Sequence, residues 1–251
     1  MSEITRLDPW QELKQFTAAR IAIGRTGASQ PTDAVLSFGV AHAQARDAVH
    51  LPFEVDSLRQ QLEALDFSTL TVHSAADNRG IYLRRPDLGR TLSSASENML
   101  ATASDKGRDV VFMVGDGLSS KAIHRHAVPF LVEARSRLEQ SGFSIGPVVL
   151  AEQARVALGD GVGEKLQAKF VVVLIGERPG LSSPDSMGLY LTWQPRQGRM
   201  DSERNCISNI RPEGLPYQDA VKKLEWLIRE ADRLQLTGVD LKDQSDLLPA
   251  A

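Results

Sequence analysis

The sequence predicts an α/β fold in which a small, mainly helical N-terminal domain precedes a doubly wound, Rossmann-like domain on a mostly parallel sheet. Two observations carry this. Beyond about residue 86, apolar runs rich in β-branched residues (Val110 to Val114, Val148 to Leu150, Phe170 to Ile175, Leu189 to Thr192) alternate with segments of helical period. Such runs read as strands buried on both faces, and strand–helix alternation implies a parallel sheet with helices on both sides. Before residue 86 the periodic segments are helical, so the domains are expected at 1–85 and 86–251.

In chain order, a first helix is expected from Asp8, the N-cap, with Pro9 at its first position, Leu13 and Phe16 on one face and an end near Arg20. The segment Ile21 to Gly27, with two glycines and no helical period, reads as a shaped loop. A second helix from about Pro31 would bury Val35, Phe38, His42, Ala45 and Val49, and a third would carry Leu58, Leu62 and Leu65. Short extended pieces are expected at Leu70 to His73 and Ile81 to Leu83, then a helix bearing Leu88, Leu92 and Met99. Later helices are placed at Ser119 to Gln140, kinked or interrupted at Pro129, at Asp160 to Lys169, and from Pro216 through Leu234.

Composition narrows the function. The chain has 251 residues, 42% apolar and 24% charged, with a formal net charge of −3. That is ordinary globular composition, and it lacks the basic footprint of a nucleic-acid binder. The lone Cys206 excludes an intrachain disulfide and suits a reducing cytoplasm. No run approaches the roughly 20 apolar residues that span a bilayer, and no secretory signal is evident at the N-terminus.

In a doubly wound sheet, ligands lie beyond the carboxyl ends of the strands. Four stretches fall there. Gly115-Asp116-Gly117-Leu118-Ser119-Ser120 suits either phosphate binding or a tight turn with a helix cap; the third glycine of a dinucleotide fingerprint is missing, and no GxxxxGK[ST] occurs. Ala154 to Asp160 contains Val156, which alone reads as core. Gly176-Glu177-Arg178-Pro179-Gly180 puts a carboxylate on a constrained turn, and Glu203 to Ile210 is a polar run enclosing Cys206, by default a buried structural thiol. No catalytic or metal-binding set follows: GxSxG is absent, and His124 and His126 would diverge on a helix. By composition and spacing the chain is a two-domain α/β binding protein.

Taken together these stretches resemble the light chain of ethanolamine ammonia-lyase. The matching residues run in order: Ala19-Arg20-Ile21 with Gly24-Arg25-Thr26-Gly27, Tyr82 to Arg90, Asp116-Gly117-Leu118-Ser119, Gly176 to Leu181, and Cys206-Ile207-Ser208-Asn209-Ile210. The resemblance implies a complex, six light chains with six heavy ones, that converts ethanolamine to acetaldehyde and ammonia by a radical route using adenosylcobalamin. It implies that the heavy chain holds the substrate and the catalytic residues, while the light chain closes the corrinoid site through Val156, Glu177 and Cys206. No DxHxxG motif occurs, in keeping with a cofactor that retains its own dimethylbenzimidazole as lower ligand. The N-terminal domain, with Arg84 and Arg85, is expected to dock on the heavy chain. Family members that enter ethanolamine microcompartments often carry a longer N-terminal extension, so a cytoplasmic location is expected first and encapsulation second. The competing readings are a stand-alone nucleotide-binding enzyme of the same fold and a non-catalytic scaffold.

Overall fold

The structure, a computed structural model, describes residues 8–245. Its elements in order are α1 (Thr32–His50), α2 (Val55–Glu63), β1 (Thr69–His73), α3 (Arg79–Arg84), α4 (Ser94–Thr102), β2 (Val110–Gly115), α5 (Ser120–Gln140), β3 (Val148–Glu152), α6 (Leu158–Lys165), β4 (Phe170–Gly176), β5 (Met187–Trp193), β6 (Asn205–Ile210) and α7 (Tyr217–Leu234). The fold is α/β. Six strands form one sheet in the order β1-β3-β2-β4-β5-β6, the first four parallel and the last two added antiparallel.

Alternation along the central strands divides the core in two. Val110, Phe112 and Val114 of β2 point to the face covered by α2, α5 and α7, where Leu58, Leu62, Phe130, Leu138, Leu224 and Ile228 are buried. Val111 and Met113 point to the opposite face, against Leu100 of α4 and Leu158 and Val162 of α6. Both faces of β2 and β4 are therefore dry, which is why those strands read as unbroken apolar runs. Helix α6 lies very close to the sheet: a Cβ on Gly159 would sit 2.4 Å from Val173 Cγ2.

Several elements depart from the sequence reading. The segment after Asp8 forms only a short 3-10 turn, Gln11–Phe16, whose Leu13 and Phe16 are exposed; Asp8 Oδ1 accepts from the Trp10 N–H at 2.9 Å. Helix α1 buries Ala41 and Ala48 rather than the expected stripe, leaving Val35, Leu36, Phe38 and Val40 exposed. Ile81 to Leu83 belongs to helix α3, started by Asn78, whose side chain accepts from the Ile81 N–H at 3.0 Å. The expected helix over Leu88 to Met99 is split into a 3-10 turn at Leu88–Arg90 and α4, capped by Ser93. The polar run around Cys206 is strand β6, and Leu234 at the end of α7 is exposed. Strand β1 and helix α2, which lie before residue 86, are built into the same sheet and the same core as the rest of the chain.

One buried node joins α1 and α3 to the top of the sheet. Arg79 donates from Nε to the Val49 carbonyl at 2.9 Å, and from Nη1 to Asp116 Oδ2 at 3.1 Å and the Gly117 carbonyl at 2.8 Å. Asp116 Oδ1 accepts from the Gly117 N–H at 3.0 Å and the Ala154 N–H at 2.8 Å. Burial nonetheless pushes the Asp116 carboxyl up to about 6, against the pull of these donors. The folded state thus holds a proton on Asp116 at pH values where the unfolded chain, with an aspartate pKa of about 3.9, has lost it. Its contribution to stability is fully present below about pH 4 and is lost as pH rises through about 6. Measured by urea titration against Asp116→Asn, which cannot titrate, the wild type should lose roughly 2–3 kcal/mol of relative stability between pH 4 and 7.

Candidate functional site

The loop after β2 decides what the crest of the sheet can bind. Three successive N–H groups in it are already used: Gly117 N donates to Asp116 Oδ1, Leu118 N to the Gly176 carbonyl at 2.9 Å, and Ser119 N to the Asp116 carbonyl at 3.2 Å. Ser119 Oγ caps α5 by accepting from the Ala122 N–H at 3.3 Å and donates to the Pro184 carbonyl at 3.0 Å. The stretch that admitted a phosphate-binding reading is a turn with a helix cap. Its other role is contact, because Gly117 (φ +55) lies against the end of β4. A Cβ on Gly117 would sit 2.3 Å from the Gly176 carbonyl oxygen, and one on Gly176 would sit 2.1 Å from that of Ser119.

From Gly176 the chain passes to Glu177. The Glu177 N–H donates to the Ser186 carbonyl at 3.0 Å, and its carboxylate Oε2 accepts from the Asn209 N–H at 3.2 Å. Oε1 lies over Gly188, where an added Cβ would be 3.0 Å away. The side chain therefore folds back over β5 and β6 and makes no ion pair with the adjacent Arg178. On the same sheet face, Tyr190 of β5 stands opposite Cys206 of β6. The negative charge of Glu177 helps raise the pKa of both, although desolvation is the larger cause for each.

This half of the sheet is open. Helix α6 covers β2 and β4 on this face, whereas α7 packs on β5 and β6 from the other side. The result is a recess of about 460 Å³ lined by Pro86, Arg90, Arg155, Val156, Ala157, Tyr190, Arg204 and the carboxylate-bearing Asp201, which pairs with Arg90. Of the residues singled out from the sequence, half-buried Val156 lies in its lining, while Glu177 and Cys206 stand beside it on the β5–β6 face. Cys206 is exposed on a strand rather than buried in core.

A buried ion pair holds the far wall. Arg204 donates to Asp160 through both terminal guanidinium nitrogens, Nη2 to Oδ2 at 2.7 Å, and also to Thr192 Oγ1 at 3.1 Å and the Arg199 carbonyl at 3.0 Å. It ties the start of α6 to the entry of β6, and both side chains are only 2% exposed. Burial pushes Asp160 up in spite of its partner.

Tyr190, Arg155 and the Asp160–Arg204 pair were not singled out from the sequence. Tyr190 carried a signal, as the one aromatic with a polar head in a strand read as wholly buried. Arg155 lay inside a flagged stretch but was passed over for its neighbour. Among the described residues no group of three or more His, Cys, Asp or Glu is placed to hold a metal ion, and no helix is long and apolar enough to cross a membrane.

A family model described as ethanolamine ammonia-lyase light chain matches residues 7–242. The chain belongs to the ethanolamine ammonia-lyase light-chain family. It is 55% identical to a protein named ethanolamine ammonia-lyase small subunit from Pseudomonas fluorescens strain Pf-5, over 96% of this chain and 89% of the relative. Similar proteins of that name from Ralstonia nicotianae and Pseudomonas aeruginosa are 54% and 53% identical, each over 96% of this chain and over 90% and 89% of their own lengths. The ordered motifs that suggested the light-chain family thus lie within a match that spans nearly the whole chain.

Within this family frame the Cys206 thiol has a definite chemical character. Desolvation and the nearby Glu177 carboxylate push its pKa up, opposed by its contact with Tyr190. At pH 8 it should react with iodoacetamide more slowly than the cysteine of an unstructured peptide, despite its exposure. Labelling followed by intact mass spectrometry across pH 7 to 10 checks this, and the labelling curve should be displaced to higher pH.

Proposed function

We propose that this chain is the light subunit of an adenosylcobalamin-dependent ethanolamine ammonia-lyase, which converts ethanolamine to acetaldehyde and ammonia, and that it closes the corrinoid site with a larger heavy chain. The observation that supports the reading is the β5–β6 face, where Val156 lines the recess beside Tyr190, Cys206 stands opposite Tyr190 and Glu177 bonds to β6 at Asn209. At about 460 Å³ the recess is near the lower end of the roughly 300–1,000 Å³ typical of small-molecule pockets. It suits an edge or tail of a large cofactor, with the other wall supplied by a partner.

The residues present fit such a group. A corrin is a broad apolar plate fringed by amides, which need partners when covered. Val156 and Ala157 offer apolar contact, Glu177 Oε1 has capacity to accept from an amide N–H, and Arg155 keeps a buried Nε with no acceptor. When bound, adenosylcobalamin supplies the radical chemistry of hydrogen abstraction. This chain's residues hold and orient the cofactor and exclude water from one side of it; the catalytic groups belong to the heavy chain. A visible spectrum of the purified heavy–light complex titrated with adenosylcobalamin decides between this reading and a scaffold that binds no corrinoid.

Glu177 is assigned to holding the cofactor. Loss of a hydrogen bond to a charged group costs about 1.5–3 kcal/mol, so Glu177→Ala should raise the cobalamin dissociation constant roughly ten- to hundred-fold. Saturating cofactor should restore most turnover. Unchanged affinity, or turnover still lost with the site full, would remove Glu177 from that role.

The heavy chain is the expected occupant of the N-terminal surface, in an assembly of six light with six heavy chains. The exposed Leu36 and Val40 of α1 support this, because they form part of an apolar face on a helix that buries only two alanines. Leu36→Glu with Val40→Glu should weaken co-purification of the heavy chain by at least ten-fold while leaving the light chain's thermal transition unchanged. Undiminished co-purification would place the docking surface elsewhere.

A further inference from the structure

Arg155 differs from the other arginines that line the recess. Arg204 is locked to Asp160, and Arg90 pairs with Asp201 at 3.2 Å. Among the described residues Arg155 has no carboxylate partner. Its guanidinium lies 4.3 Å from the centre of the Tyr82 ring, and Nη2 reaches the Tyr82 carbonyl only at 3.5 Å. Among the described residues its Nε, like that of Arg204, is buried with no hydrogen-bond partner, so what sets Arg155 apart is the missing carboxylate. A buried donor left unpaired costs about 1–3 kcal/mol, so it marks a place where an acceptor belongs.

The side chain is also held in place. The Arg155 N–H donates to the Gly89 carbonyl at 2.8 Å, and an added Cβ on Gly89 would come within 2.9 Å of Arg155 Cγ and 3.0 Å of the Tyr82 ring. The stem is thus clamped between the Leu88–Arg90 turn and an aromatic face, and Tyr82 is itself fixed by donating from its hydroxyl to the Ala154 carbonyl at 3.0 Å. A guanidinium stacked on a ring keeps its in-plane N–H donors directed outward, the geometry that suits an anion with several oxygens. Val156, the next residue, lies in the same recess.

Building on the proposed corrinoid site, we infer that Arg155 is a cofactor-binding residue that receives the phosphodiester of cobalamin's nucleotide tail. That phosphodiester is the formally anionic group on the cofactor's periphery, where the remaining side chains are neutral amides. Among the described residues, Arg155 is the arginine of the recess whose charge no carboxylate answers. Val156 would then meet the apolar benzimidazole or corrin edge beside it, so consecutive residues of one turn would read consecutive parts of the tail.

The test compares adenosylcobalamin with adenosylcobinamide, which lacks the nucleotide and its phosphodiester, by spectroscopic titration of the heavy–light complex. Arg155→Met keeps an apolar stem between Gly89 and Tyr82 and removes the guanidinium; Arg155→Gln keeps a neutral donor. Both variants should bind adenosylcobalamin roughly ten- to hundred-fold more weakly than the wild type, with adenosylcobinamide affinity unchanged. Equal losses for both corrinoids, or no loss for either, would overturn the assignment. If the wild type holds adenosylcobinamide too weakly to measure, salt decides. Wild-type affinity for adenosylcobalamin should fall with added KCl and Arg155→Gln should flatten that fall, whereas an unchanged slope overturns the assignment. A wild-type complex that binds no adenosylcobalamin would instead remove the corrinoid reading itself.

Discussion

The site depends on one close crossing of two chain segments. Where the loop after β2 lies against the end of β4, neither Gly117 nor Gly176 has room for a Cβ. Backbone packed this tightly has to satisfy its own polar groups, and it does so by bonding Leu118 N to the Gly176 carbonyl. The crossing also fixes Asp116, whose carboxylate reaches the Ala154 N–H in the turn after β3 and the guanidinium of Arg79. Three post-strand segments are thereby locked together: those carrying Asp116, Arg155 with Val156, and Glu177. A small shift in any one would be transmitted to the others, because a packed interior accommodates changes in steps rather than smoothly.

The two antiparallel strands explain why the site is where it is. A parallel extension of the sheet would have required a crossover helix, and that helix would have covered the next strand. Strands β5 and β6 follow β4 without one, so α7 closes one face and the other keeps Tyr190 and Cys206 accessible from outside the core. The Asp160–Arg204 pair then bounds the opening. Buried pairs of this kind contribute little net stability after desolvation, and their best-supported use is to fix one arrangement among alternatives. Here the arrangement fixed is the position of β6 relative to α6, and with it the width of the recess.

How legible this was in the sequence varied with burial. The runs at β2, β3 and β4 were plain, because a strand dry on both faces must be apolar throughout. Strand β6 was not, since Asn205, Ser208 and Asn209 lie on an edge strand with one open face and read as loop. Helix α1 was placed correctly, but its buried side was misread: the large residues Val35 and Phe38 are outside and the small Ala41 and Ala48 are inside. Size and hydrophobicity predict a core position only when the surface seen is complete. Ile81-Tyr82-Leu83 has strand propensity, and the Asn78 cap overrode it, delivering Tyr82 to the core as part of a helix.

The site residues follow the same logic. Val156, Glu177 and Cys206 came from the family resemblance, and spacing alone gave only the stretches that contain them. What no pattern could supply was which cations find a carboxylate once the chain has folded, and that separates Arg155 from Arg90 and Arg204 although all three line one recess. Arg204 spends its charge on the fold, Arg90 shares its charge with an exposed carboxylate, and Arg155 is packed in place with its charge unanswered. Chemistry held ready in this way, on a turn anchored to the Gly117–Gly176 crossing through Asp116 and Ala154, is pre-organised for a ligand in the absence of one.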